Sequence, residues 1–372
     1  IPFRRSPAAA QAWMILFFFL PIVALLIYLA LGHAEHPRWR KDRLKRLPAV
    51  LSRALGDLTL EQRSGHEEAL APRYAMAARL VQRLGRQPCL PGNQIDLDAD
   101  YNRVVDRIVA DIDDAQNHVH MLFYILMMDE AGDKVLAALE RAARRGVTCR
   151  LLIDAVGSST DRRRIARRLD GSGVALRVIL PLRFWNRATR ADLRNHRKIL
   201  VIDGNLAFSG SQNIIDRSYN KPKNLRKGLQ WKDLMLRIEG PLVDELNALF
   251  ISDWYSETED LLLDEVDQEL PSIDGGVMAQ AVPSGPGFDT ENNLRLINQL
   301  IYNAEDRVLI CSPYLIPDDS LKMALTTAAQ SGIDVTLIVC AKGDQFFAHY
   351  GQQSYYDSLL EAGEFVRTLQ HR

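Results

Sequence analysis

Residues 195–213 read NHRKILVIDGNLAFSGSQN. The spacing is H-x-K-x4-D-x6-G-S, formed by His196, Lys198, Asp203, Gly210 and Ser211, with Asn213 two places on. The apolar, β-branched run up to Ile202 reads as a buried strand. Side chains two apart on a strand share a face, so His196 and Lys198 point the same way from its start. Gly204-Asn205 reads as a turn, and Leu206–Ser209 as a short returning strand. Neutral imidazole is a nucleophile near pH 7, and a lysine beside it supplies fixed positive charge. That pair suits attack on a phosphodiester, whose anionic oxygens need neutralising as the phosphorus changes geometry. Ser211 and Asn213 offer a hydroxyl and an amide to phosphate oxygens, and Arg194, just before the motif, joins them as a candidate phosphate ligand. Asp203 ends the strand on its other face, where it organises the motif rather than reacting.

A lone histidine or lysine at a strand end is ordinarily a solvated rim residue, but six residue types at fixed spacing are a different matter. The stretch resembles the HKD motif of the phospholipase D superfamily. Its flanks, LRNHRKILVIDG before and SQNIIDRSY after, resemble the first such motif of bacterial cardiolipin synthases. The resemblance implies an α/β, phospholipase D-like fold: two related units, each a mixed sheet flanked by helices. It implies a site built from two motifs across a pseudo-two-fold axis, one histidine attacking phosphorus and the other serving as acid and base. The implied reaction joins two phosphatidylglycerol molecules into cardiolipin and glycerol through a phosphohistidine, with no metal or other cofactor. Hydrolysis of phospholipid by water, or an inactive membrane-tethered fragment, are the alternatives.

Upstream of the motif, strand and helix alternate: a helix at 101–115, a strand at 119–125, a helix at 134–145, a strand at 148–154, a helix at 161–169 and a strand at 175–180. Such alternation predicts a largely parallel sheet with helices packed on it. Between them and the motif, Arg183, Phe184, Trp185, Arg187 and Arg190 suggest a lipid-facing lip. Downstream come a basic loop, a strand, a turn at Gly240-Pro241 and a helix ending near Trp254. The first catalytic unit is thus expected over 96–258, and an acidic linker over 259–274.

The remainder, 275–372, repeats the first unit. At a constant offset Ala138, Leu139, Ala142, Ala143 and Gly146 recur as Ala324, Leu325, Ala328, Ala329 and Gly332. Two unrelated helix–strand pairs would not ordinarily keep such residues in register. The same offset carries His196 beyond Arg372, so the second unit is expected to be incomplete, lacking its own motif. His371 has no lysine two places on. Single-motif members of the superfamily complete a site by dimerising, so a homodimer is one expectation.

At the other end, Ala8–Leu31 is almost wholly apolar and long enough to cross a bilayer, with Pro21 in its middle. A transmembrane helix followed by a basic flank is therefore expected over 1–46. Arg38, Arg40, Lys41, Arg43, Lys45 and Arg46 place that flank, and the catalytic body, in the cytoplasm at the bacterial inner membrane. Arg4 and Arg5, on the far side of the apolar run, oppose this assignment. Residues 47–95 read as a helical connector without chemistry. The net charge of −1 over 372 residues gives no global bias towards nucleic acid and argues against a nuclease. The cysteines have no metal-ligand spacing, and three of the four sit in apolar runs, as buried thiols of a reducing compartment do.

Overall fold

The computed structural model describes residues 7–31, 39–40, 42–43, 46, 69–181, 194–262, 272–285, 288, 291–340, 346–363 and 365–369. The lip residues 183–190, positions 47–68 of the connector, 263–271 of the linker, Arg38, Lys41, Lys45 and His371 fall outside the described residues. Two compact units are present. The first comprises residues 1–63, 90–281 and 285–289, and the second 64–89, 282–284 and 290–372.

In chain order the elements begin with helices α1 (Pro7–Phe19), α2 (Pro21–Leu31) and α3 (Pro72–Gly85), then β1 (Leu90–Asp98) and α4 (Tyr101–Asp114). There follow β2 (His118–Phe123), α5 (Glu130–Arg144), β3 (Thr148–Asp154), α6 (Arg162–Leu169) and β4 (Ala175–Ile179). The motif supplies β5 (Lys198–Ile202) and β6 (Leu206–Gly210), and α7 (Pro222–Lys227), β7 (Met235–Glu239), α8 (Leu242–Thr258) and β8 (Val277–Ala279) come after it. The rest is α9 (Asn292–Tyr302), β9 (Arg307–Ser312), α10 (Asp319–Gln330), β10 (Asp334–Cys340), α11 (Phe346–Gln353), α12 (Tyr356–Glu361) and β11 (Phe365–Leu369).

The first unit is built on an eight-stranded sheet of order β4-β3-β2-β5-β6-β7-β1-β8. Its β4-β3-β2 side is parallel, as alternating strands and helices require. From β2 onward every pairing is antiparallel, so the sheet is mixed and not largely parallel. The reason is local. The turn at Asp203–Asn205 is too short for a crossover and makes β5–β6 a hairpin.

Helix α4 shows how the core forms. Asp100 caps it, its carboxylate accepting from the N–H groups of Asn102 and Arg103. Tyr101, Val104, Val105, Ile108 and Ile112 fall on one face and are buried. They pack with α5 against β2 and β3, each large aliphatic side chain contributing roughly 1.5–3 kcal/mol. On the sheet's other face lies α8, buried along most of its length. Its polar residues are consequently paired: Asn247 with His120, Glu245 with the Ala281 N–H, and Asp253 with Asn195 and Arg197 just before the motif strand.

In the second unit β11-β10-β9 are parallel, with α10 between β9 and β10. This is the order of β4-β3-β2, and the alanines and leucines that recur in sequence fall on α5 and α10, with Gly146 and Gly332 in the turns just after them. Two boundaries differ from the expected ones. Strand β1 starts at Leu90, inside the expected connector, and β8 pairs with β1, so residues 277–279 complete the first sheet instead of opening the second unit. Helix α3 packs on α9 and belongs to the second unit.

The apolar run at the amino terminus is two helices, not the single one expected. Pro21 has no N–H to donate and disfavours helical geometry in the residue before it, and the chain reverses at Leu20. The Trp13 ring lies 5.2 Å from Tyr28, whereas one straight helix would separate those residues by about 22 Å. Among the described residues no helix is long and apolar enough to cross a membrane.

Candidate active site

His196 and Lys198 stand side by side where β5 begins. His196 precedes the strand and is open to solvent, while Lys198 is its first residue and is buried. The Lys198 Nζ lies 2.9 Å from Nδ1 and 3.4 Å from Nε2 of His196, and donates to the His196 carbonyl at 2.7 Å. Tyr124, just past β2, packs its ring 4.5 Å from the imidazole, and the Lys198 ammonium sits over the same ring. Although His196 is exposed, the protein packed around its ring, Tyr124 included, partly desolvates it, and this, then the charge of Lys198, push its pKa down to about 4. Burial pushes Lys198 down to about 8, against the pull of Asp233. At neutral pH the pair is therefore an uncharged imidazole next to an ammonium.

The second wall comes from β6 and the start of β7. Gly210 is required there: a Cβ would stand 2.3 Å from the Leu234 carbonyl oxygen. That close approach lets the Ser211 N–H donate to the same carbonyl and the Leu234 N–H donate to the Ser211 hydroxyl. The hydroxyl in turn donates to Asp233 Oδ1 at 2.7 Å. Asp233 Oδ2 is buried without a partner, and burial raises the carboxyl's pKa. Asp233 thus faces the positive Lys198 as an under-satisfied acceptor. The sequence analysis did not single it out. Its signal was modest: a carboxylate entering a strand, in Trp231-Lys232-Asp233.

Asn213 and Arg194 are tied into the frame. The Asn213 side-chain Oδ1 accepts the Ile125 N–H and its Nδ2 donates to the Tyr219 hydroxyl. Arg194 clasps the fully buried Asp154 through Nε and Nη2, and donates to the Leu180 carbonyl. Its Nη1 is buried without a partner. Asp203 accepts the backbone N–H groups of Gln116, Asn117 and His118, and its own N–H donates to the His118 carbonyl. It holds a φ of 52°, a left-handed conformation that aspartate tolerates. So Asp203 pins the start of β2 to the end of β5, away from the imidazole.

Two further carboxylates, absent from the sequence-based set, hold the residues around His196. Asp253 on α8 accepts from the Asn195 amide at 2.8 Å and from Arg197 at 2.6 Å. Asp154, at the end of β3, takes Arg194 and the N–H groups of Val156 and Gly157. Both neighbours of His196 are thereby fixed by one buried side chain of α8. Sequence could not reveal this, because the partners lie 56 and 58 residues apart.

A parallel β-α-β layer closed by an antiparallel ladder, with histidine and lysine at the ladder's mouth, defines the phospholipase D-like class of α/β proteins. The solved structure of phosphatidylserine synthase of Haemophilus influenzae Rd KW20 shares the fold: it superposes with a TM-score of 0.55 at 15% identity, covering 81% of this chain and 78% of that one. The family model described as cardiolipin synthase, PLD-like domain, matches residues 108–254 and 297–372. Cardiolipin synthase A of Erwinia tasmaniensis is 34% identical over 371 residues, 97% of this chain and 74% of that protein. Cardiolipin synthase A of Edwardsiella ictaluri is 32% identical with the same coverage. The chain belongs to the cardiolipin synthase family of phospholipase D-like proteins.

Proposed function

We propose that the chain is a phosphatidyltransferase that joins two phosphatidylglycerol molecules into cardiolipin, with His196 as the group that carries the phosphatidyl moiety. The observation that carries this reading is the neutral imidazole held against a buried ammonium, in a chain of this family. A ring nitrogen of His196 attacks the donor phosphorus, the bond from phosphorus to the headgroup glycerol breaks, and glycerol leaves with a proton. The terminal hydroxyl of a second phosphatidylglycerol then attacks the phosphohistidine, giving up its proton as the P–N bond breaks and cardiolipin forms. Lys198 neutralises the non-bridging oxygens as they gain charge, and the Ser211 hydroxyl is a further donor once its proton turns from Asp233 to the phosphate. Asp203 acts on the fold of the motif and takes no part in bond making.

The leaving and entering protons call for a second imidazole opposite His196, from a second such motif or from a second copy of this chain. Sizing the chain in detergent separates these: an active monomer removes the copy. The substrate and product are membrane lipids, and we infer a seat at the bacterial inner membrane with the body in the cytoplasm, a reading supported by the apolar amino terminus and its basic flank. The test of the carrier role is a denaturant quench during turnover at mildly alkaline pH, where a P–N bond survives, followed by mass spectrometry. The expected result is a phosphatidyl adduct on the peptide containing His196. Turnover with no adduct there removes His196 from the carrier role.

A further inference from the structure

We propose that Arg40 is a positioning residue for the reaction: set into the end of α8 from 217 residues upstream, its guanidinium holds Glu257, and through Glu257 and Leu180 it fixes Arg194 and the aim of His196. The inference rests on the reading of His196 as the reacting group, and adds what keeps it in place. It starts from Leu180, which follows β4 and is buried. Leu180 holds a φ of 52°, a left-handed conformation unfavourable for a leucine. Pro181 comes next, and a proline steers the residue before it towards extended geometry. Such a conformation persists only where the surroundings impose it. Here two charged side chains do so. The Leu180 N–H donates to Glu257 Oε1 at 3.2 Å, and its carbonyl accepts Arg194 Nη2 at 2.8 Å.

Glu257 is kept in that place by Arg40. The two side chains are 2% and 8% exposed, so the pair lies out of water. Arg40 Nη1 donates to Glu257 Oε1, the oxygen that also takes the Leu180 N–H, and Nη2 donates to the Ser256 hydroxyl at 2.8 Å. That hydroxyl donates to the carbonyl of Asp253, whose carboxylate grips Asn195 and Arg197. One guanidinium thus stands at the head of two chains of contacts, and both end on the residues that flank His196. Without it the Glu257 charge is buried and uncompensated, so the carboxylate turns towards water and the Leu180 N–H loses its acceptor. Leu180 then relaxes out of its left-handed geometry and takes its carbonyl away from Arg194.

Packing alone does not call for an arginine at this place. A buried ion pair adds little stability over apolar side chains of similar size, because both charges give up their water. What it adds is direction, since the planar guanidinium holds its acceptors in a fixed fork. Arg43, three residues on, supplies the contrast. It ties the same segment to the same end of α8, but its acceptors are Glu259 and the Ser256 carbonyl.

The test uses the whole chain in detergent micelles and compares Arg40→Met, Arg40→Lys, Arg43→Met and Leu180→Gly, the last with and without Arg40→Met. Three quantities are read: initial rates of cardiolipin formation from phosphatidylglycerol, thermal unfolding, and the pH dependence of His196 modification by diethyl pyrocarbonate, located by peptide mass. The third needs no lipid turnover. Arg40→Met is expected to lower kcat by about 10–100-fold with KM and the melting temperature little changed. The midpoint of His196 modification, near 4 in the unaltered chain with Lys198 and Asp154 as the charges facing the ring, is expected to move up towards that of free imidazole. Arg40→Lys recovers part of the rate, and Arg43→Met leaves kcat unchanged. Glycine takes a left-handed φ without penalty, so Arg40→Met is expected to cost much less in the Leu180→Gly background. The proposal is overturned by an unchanged kcat and midpoint in Arg40→Met, by a rise in KM alone, by a fall in kcat matched by a loss of folded protein, or by an equal fall in the Leu180→Gly background. A chain that makes no cardiolipin while its His196 midpoint moves as expected overturns the transferase reading and leaves the role of Arg40 standing.

Discussion

The pKa values of His196 and Lys198 are both displaced downward from those of the free side chains. Catalysis needs the imidazole uncharged and the ammonium charged, so activity is expected to rise with pH through about 4 and to fall through about 8. A profile of initial rate in lipid micelles checks both limbs. The same shifts cost stability. The unfolded chain binds the His196 proton between pH 6.5 and about 4 where the folded chain does not, so folding weakens as pH falls through that window. For Lys198 the unfolded chain binds the extra proton between about 8 and 10.5, so its cost is present in full at neutral pH. Lys198→Met is therefore expected to abolish activity while raising stability by on the order of 1–3 kcal/mol, read from thermal unfolding at pH 7. A loss of stability would mean that the His196 and Tyr124 contacts outweigh the burial of the charge. At this scale spacing alone singled out His196, Lys198 and Ser211 as candidates, and the fold sets His196 against Lys198. Asp233 was not among them, because its burial and its missing partner are properties of the folded chain.

The elements around the site act as clamps. Asp253 reaches Asn195 and Arg197 from α8, and Asp253→Asn is expected to lower kcat by about 10–100-fold with KM little changed, because the imidazole loses its aim and not its substrate contacts. Steady-state kinetics and a melting curve check this together; a matching loss of folded protein would assign Asp253 a structural role only. Asp203 is the opposite case. Asp203→Ala removes the acceptor of three backbone N–H groups and places alanine at a left-handed φ, so stability is expected to drop by about 1–3 kcal/mol. Asp203→Asn, which tolerates the same φ and keeps one acceptor, should lose less. Elements themselves were largely legible: β3 and α4 follow directly from apolar periodicity and an aspartate cap. The antiparallel half of the sheet was not, since strand direction depends on which neighbour a strand meets. Pro21 pointed to a kink but not to a reversal, because an almost wholly apolar run of twenty-four residues suits one kinked helix as well as two.

For the molecule as a whole, the sequence repeat indicated two related units, and the strand orders β4-β3-β2 and β11-β10-β9 are the same. The edges of the units were hidden in sequence. Strand β8 comes after the acidic stretch yet completes the first sheet, and α3 comes before that sheet yet belongs to the second unit. Long-range pairing decided both, and a local reading of composition has no access to it. The most direct test of the whole account is the product formed from labelled phosphatidylglycerol by the purified chain in detergent, with His196→Ala alongside. Cardiolipin and glycerol in equal amounts, from the unaltered chain only, is the expected result. Phosphatidic acid in place of cardiolipin, or cardiolipin from His196→Ala, would contradict it.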